Sequence, residues 1–158
     1  MVNHESRLIY SIQISDGDRV KMAKLTALNS KIMTVEDDDF TRATVKGALE
    51  SKGLNIVFDT ASVKAAIDFA KTNRPDVAVL DYNLGKGPNG IDLANQLRRF
   101  QPGIAIVLLT AFLDPAQLDK RIAELPQGSK YLIKHSVTKI EVLVDEISAA
   151  LKSAPQIG

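Results

Sequence analysis

The sequence predicts a doubly wound α/β domain, with five parallel strands in one sheet and helices on both faces. Two observations carry that prediction. From Lys31 onward, short runs rich in Val, Ile and Leu alternate with stretches whose apolar residues recur at helical spacing. The runs also lack the apolar–polar alternation of a strand with one wet face, so they suit a sheet covered on both sides. Parallel neighbours need crossovers, and the helical stretches between the runs supply them.

The elements follow in order. The strand segments are Ile32 to Val35, Leu54 to Phe58, Val77 to Leu80, Ile104 to Leu109 and Tyr131 to Ile133. Helical stripes are formed by Val63, Ala66, Ile67 and Ala70, then by Ile91, Ala94 and Leu97. Leu118, Ile122 and Leu125 form the next, and Ile140, Leu143, Val144, Ile147 and Leu151 the last. Gly53 closes the first helix, Pro75 follows the second and Pro102-Gly103 the third. Asp114 before Pro115 reads as a helix N-cap, and Thr138 with Glu141 as a capping box. Ahead of this pattern, Leu8, Tyr10, Ile12 and Ile14 alternate with Ile9, Ser11, Gln13 and Ser15 at strand period. A turn is expected over Ser15 to Asp18, and a helix from Arg19 to Leu28. The expected organisation is an N-terminal extension over 1–29, the α/β domain over 30–152 and a tail or linker over 153–158.

Composition narrows the function. The 158 residues carry 45% hydrophobic and 25% charged side chains, the balance of a globular domain rather than a disordered one. Twenty Lys and Arg against 19 Asp and Glu leave a net charge of +1, so no wholesale basic surface is available for nucleic acid. There is no Cys, which excludes disulfides, thiolate metal sites and cysteine nucleophiles. The two His, His4 and His135, cannot form a histidine-rich metal site. No apolar run approaches the roughly 18 residues of a membrane span, and the expected compartment is the reduced cytoplasm.

Acids gather at the strand ends. In a doubly wound sheet, ligands bind beyond the carboxyl ends of the strands, where strand order reverses. For five units in the flavodoxin-like order 2-1-3-4-5, that crevice lies between the first and third strands. The first strand runs into Glu36, Asp37, Asp38 and Asp39, and the third into Asp81. Two unit charges ~4 Å apart repel by about 4 kcal/mol at an effective dielectric near 20, so convergent acids need a shifted pKa or a divalent cation. An oxygen-only cluster suits Mg²⁺. Asp38 and Asp39 are expected instead to cap the first helix. The fourth strand places Thr110 at the rim beside Ala111, and the fifth places Lys134 there. Carboxylates, a hydroxyl and an ammonium around one cleft suit phosphoryl groups.

On these motifs, Lys31 to Lys152 resembles the response-regulator receiver domains of the CheY-like family, the phospho-acceptor half of two-component signalling. VEDDDF matches the acid pair at Glu36 and Asp37, and VAVLDYNL the phospho-acceptor strand ending at Asp81. LLTAF matches the family hydroxyl at Thr110, and YLIKHS the lysine at Lys134. The resemblance implies Mg²⁺ held by Glu36, Asp37, Asp81 and the Asn83 carbonyl, and a switch formed by Thr110 and Tyr131. It further implies a histidine kinase or phosphotransfer protein as donor and a downstream protein as target; from charge and hydropathy, no direct contact with nucleic acid or membrane is expected. By the same reading the chain is a phosphorylated switch with self-catalysed transfer and autodephosphorylation rather than an enzyme. The alternative is a pseudo-receiver that binds partners without accepting phosphate. Two departures stand out: a longer glycine-rich loop from Gly85 to Gly90, and His135 where the family usually has proline. The G-x-G-x-x-G spelled by Gly85, Gly87 and Gly90 is not a dinucleotide fingerprint, because Asp81 to Leu84 separate it from the strand end. No P-loop motif is present either.

The alternating face of the first thirty residues has no place in a complete five-stranded sheet. It is expected to dock, on an edge of its own sheet or, as the favoured case, by exchange or pairing with a second copy in a homodimer, the alternative being a disordered leader.

Overall fold

The computed structural model describes residues 13–111, 114–134 and 139–156. Five strands form one parallel sheet: β1 (Lys31–Val35), β2 (Asn55–Thr60), β3 (Val77–Asp81), β4 (Ala105–Thr110) and β5 (Lys130–Ile133). Six helices accompany them among the described residues. They are α1 (Asp16–Leu28), α2 (Asp39–Ser51), α3 (Val63–Asn73), α4 (Gly90–Phe100), α5 (Pro115–Ile122) and α6 (Ile140–Ser153). The strand order is β2-β1-β3-β4-β5, as expected. Strand order reverses at β1, so the crevice opens between β1 and β3.

The central strands are apolar because both their faces are covered. All residues of β3 and β4 are buried, and so are Ile32, Met33, Thr34 and Val35 of β1. One face packs Met33, Leu80, Ile106 and Leu108 against Ala66 and Ala70 of α3 and Ile91, Ala94 and Leu97 of α4. The other packs Ile32, Val77, Val79, Val107 and Leu109 against Leu49 of α2 and Leu143, Ile147 and Ala150 of α6. Alternation along each strand thus feeds two cores. The edges differ from expectation. β2 and β5 are only partly buried, since each has a single strand neighbour.

Local signals set the helix ends. Ser62 caps α3 by accepting from Ala65 N–H, and Asp114 caps α5 by accepting from Ala116 N–H. Asn89 and Asp92 form a reciprocal capping box at the start of α4. The expected box at Thr138 and Glu141 is not what starts α6. Lys139 is its N-cap without a side-chain bond, Thr138 lies outside the described residues, and Glu141 instead pairs with Lys52 at 2.7 Å. The stripe of Leu118, Ile122 and Leu125 also outruns its helix, because α5 stops at Ile122 and Leu125 packs from the following loop.

The N-terminal segment departs from the reading at the start of its helix and at Ile14. Ser15 to Asp18 is no free-standing turn: Ser15 is the N-cap of α1, its hydroxyl oxygen accepting from Asp18 N–H at 3.1 Å. Asp16 and Asp18 occupy the first turn, where acids favour the helix dipole. Ala27 of α1 is buried in the same core as Leu143, Ile147 and Ala150 of α6, and Ser30 joins α1 to β1. Leu8, Tyr10 and Ile12 lie outside the described residues, and Ile14 is in no strand.

Candidate functional site

The site is built where β1 and β3 end side by side. Val35 pairs with Leu80, so the next position on each strand holds Glu36 and Asp81. Both acids are buried. One carboxylate oxygen from each of Glu36, Asp37 and Asp81 lies within 4.8 Å of the others. Asp38 and Asp39 turn to the helix instead. Asp38 caps α2 by accepting from Thr41 N–H at 2.7 Å, which holds its carboxyl below the usual range, and Asp39 pairs with Arg42 at 2.8 Å. Arg42 also donates to the Glu36 carbonyl at 3.0 Å, anchoring the strand end to α2.

Lys134, immediately after β5, bridges the two buried acids. Its Nζ lies 2.9 Å from Glu36 Oε2 and 3.1 Å from Asp81 Oδ1. Glu36 Oε1 accepts a long bond, 3.3 Å, from Asp38 N–H. Burial pushes the Glu36 carboxyl up to about 7; the Lys134 contact opposes that rise and the Asp81 charge adds to it. Burial works against the Lys134 ammonium, but its bonds to Glu36 and Asp81 prevail and hold its pKa above that of an ordinary lysine. The cluster therefore stores charge that one internal ammonium only partly balances.

Asn83, Tyr82 and Ala111 line the cleft with these acids and Lys134. Asn83 Oδ1 accepts from Gly85 N–H at 3.1 Å, shaping the loop beyond Asp81. Thr110 is buried at the end of β4, opposite Ile133. Tyr131 is not in the cleft. It is 41% exposed on β5, three residues before Lys134. His135 lies outside the described residues.

Two contributions escaped the sequence reading. Gly90 donates its N–H to the Tyr82 carbonyl at 2.8 Å, and a Cβ on it would strike the Asp81 carbonyl oxygen. The glycine that opens α4 is what lets the helix close against the back of the site. Lys134 also reaches two carboxylates, Glu36 and Asp81, a double contact that only the adjacency of β1 and β3 reveals. The donor set fits a hard divalent cation, being all oxygen, crowded and short of positive charge.

A doubly wound sheet in this order, with acids at its switch point and a lysine from the last strand, is the architecture of CheY-like receiver domains. The chain belongs to the response regulator receiver domain family, whose model matches residues 32–147. It is 32% identical over 121 residues to the probable transcriptional regulatory protein TcrX of Mycobacterium tuberculosis, covering 77% of this chain and 49% of that protein. It is 27% identical over 105 residues to sporulation initiation phosphotransferase F of Bacillus subtilis, covering 65% of this chain and 83% of that one. Among solved structures, the receiver domain of the putative response regulator NarL from Mycobacterium tuberculosis superposes with a TM-score of 0.61 at 25% identity, over 78% of this chain and 93% of that one. The chain spans about half the length of the first two curated relatives, 49% and 47%. No helix among the described residues is long and apolar enough to cross a membrane.

Proposed function

We propose that this receiver domain accepts a phosphoryl group on Asp81 from a phosphohistidine of a sensor kinase or phosphotransfer protein, and so switches contacts with a downstream protein in the cytoplasm. The observation that carries the reading is the cluster of Glu36, Asp37 and Asp81 bridged by Lys134. An Asp81 carboxylate oxygen attacks phosphorus in line, the phosphorus–nitrogen bond breaks, and the imidazole leaves. Lys134, already 3.1 Å from Asp81, stands beside the charge that develops on the phosphoryl oxygens. Thr110, at the end of the neighbouring strand, supplies a hydroxyl to the same group. Glu36, Asp37, Asp81 and the Asn83 carbonyl would hold Mg²⁺, which when bound supplies charge neutralisation for the transfer. Tyr131 is the residue whose exposure would change with the state of the site. Water later attacks the same phosphorus and restores the free carboxylate.

The test is incorporation of phosphate from acetyl phosphate and Mg²⁺. Labelling that Asp81→Asn abolishes, with an unchanged circular dichroism spectrum, supports the reading. Absence of labelling in the unaltered protein would leave an interaction module that takes no phosphate, and labelling that survives Asp81→Asn would move the acceptor elsewhere.

A further inference from the structure

The loop that leads into β5 is tied down from two helices. From α4, the Asn95 side-chain amide donates to the Glu124 carbonyl at 3.0 Å, and Arg98 Nη1 donates to the Gln127 carbonyl at 2.7 Å. From α6, the Ser153 hydroxyl donates to the Gly128 carbonyl at 2.7 Å. Gly128 has a φ of +78°, and a Cβ there would meet the Ser153 carbonyl, so the loop closes on α6 only through glycine.

The Arg98 guanidinium makes a second bond. Its Nε donates to the carbonyl of Ile104, the residue just before β4, at 2.7 Å. In the ladder between β4 and β5, Val107 stands opposite Lys130 and Thr110 opposite Ile133. Ile104 precedes Val107 by the same three residues by which Gln127 precedes Lys130. One rigid fork therefore grips the two carbonyls that lie equally far ahead of the first rung. Burial pulls the Arg98 pKa below that of a free arginine, and its Nη2 is buried with no hydrogen-bond partner among the described residues. A surface charge would sit in water; this one is held on two backbone carbonyls.

β5 needs such a fixture. It is four residues long, lies at the sheet edge and is only partly buried. Lys134 follows it directly and must reach Glu36 and Asp81 at 2.9 and 3.1 Å. A slip of one residue shifts a strand by about 3.3 Å and turns its side chains to the opposite face. Either change takes the ammonium out of hydrogen-bond range of both acids.

We propose that Arg98 is a positioning residue for the site: by bridging the Ile104 and Gln127 carbonyls it sets β5 against β4 and so delivers Lys134 to Glu36 and Asp81. Its consequence for phosphoryl transfer rests on the function proposed above, whereas the placement of Lys134 does not. The experiment uses the full chain, unaltered and as Arg98→Lys and Arg98→Ala. It reads acetylation of Lys134 by an acylating reagent, peptide by peptide, together with amide exchange in all five strands. Arg98→Ala removes two bonds from a charged group and should speed both Lys134 acetylation and β5 exchange by at least about tenfold, the lower end for one such bond, while β1 and β3 exchange as before. Arg98→Lys, a point charge without the fork, should fall between, and it carries the comparison if the alanine variant does not fold. Unchanged Lys134 acetylation, or equal acceleration in every strand, would overturn the proposal. Acetyl phosphate labelling should fall in step with the loss of Lys134 protection. If the unaltered protein takes no label, the phospho-acceptor reading fails, while acetylation and exchange still decide the role of Arg98.

Discussion

Replacing Glu36 with glutamine should make the metal-free protein more stable above neutral pH, although it removes half of an ion pair. The Glu36 side chain is 6% exposed and its carboxyl is pushed from 4.5 up to about 7. A carboxyl raised on folding contributes stability that is fully present below about pH 4.5 and lost as pH rises through about 7. That separation corresponds to about 3 kcal/mol. A like-charge pair 4.8 Å apart, the outer limit of the cluster, repels by about 3.5 kcal/mol at an effective dielectric near 20. Burial is the larger cause of the rise, the Asp81 repulsion adds to it, and Lys134 offsets part of both. Glutamine keeps an oxygen for Lys134 but cannot ionise, so the variant should lack this pH dependence. The assay is thermal unfolding in a chelator at pH 5 and pH 8.5. At pH 5 the two proteins should unfold within a few degrees of each other. At pH 8.5 the variant should lead by about 6–12 °C, taking 2–4 °C per kcal/mol for a domain of this size. Excess Mg²⁺ should narrow the gap by stabilising the unaltered protein, by about 2.7 kcal/mol at a hundredfold excess over Kd. Parallel pH profiles, or a variant weaker at both pH values, would refute the reasoning and show that the Lys134 ion pair outweighs burial.

Other outcomes are expected. Asp37→Asn should weaken Mg²⁺ binding more than Asp39→Asn in a calorimetric titration, because Asp39 is 89% exposed and already paired with Arg42; equal effects would put the cluster one residue out of register. Gly90→Ala should lower stability by about 1–3 kcal/mol in urea unfolding, the cost of forcing a methyl into packed backbone; an unchanged midpoint would mean the loop yields freely. Removing residues 1–29 tests the exchange expected for the N-terminal face. A full chain that sediments as a dimer and a truncated one that is monomeric support it, and two monomers at micromolar concentration end it.

Most of the fold was legible because the central strands are buried on both faces, and burial writes itself as uninterrupted Val, Ile and Leu. The carboxylates were legible for the opposite reason: Asp81 ends an apolar run with no helix near enough to cap. The failures have physical causes too. Asp16, Gly17 and Asp18 are turn-forming residues, yet the Ser15 hydroxyl captures Asp18 N–H and starts a helix through them. Thr138 and Glu141 have capping-box spacing, but Lys52 holds Glu141 elsewhere. The fit of Gly90 against the Asp81 carbonyl and the double reach of Lys134 are tertiary facts. They depend on which strands become neighbours, and no local pattern records that.

The placement of α1 has a consequence for competition. Only Asn29 and Ser30 separate α1 from β1, and its residues Ala23 and Thr26 share a groove with Ser148 and Leu151 of α6. A tether this short keeps a released helix beside its seat at an effective concentration of about millimolar or above. A separate chain present at micromolar concentration meets an occupied seat, and needs roughly a thousandfold tighter intrinsic binding, about 4 kcal/mol, to take it. The face of α6 that seats α1 thus yields only to strong binders.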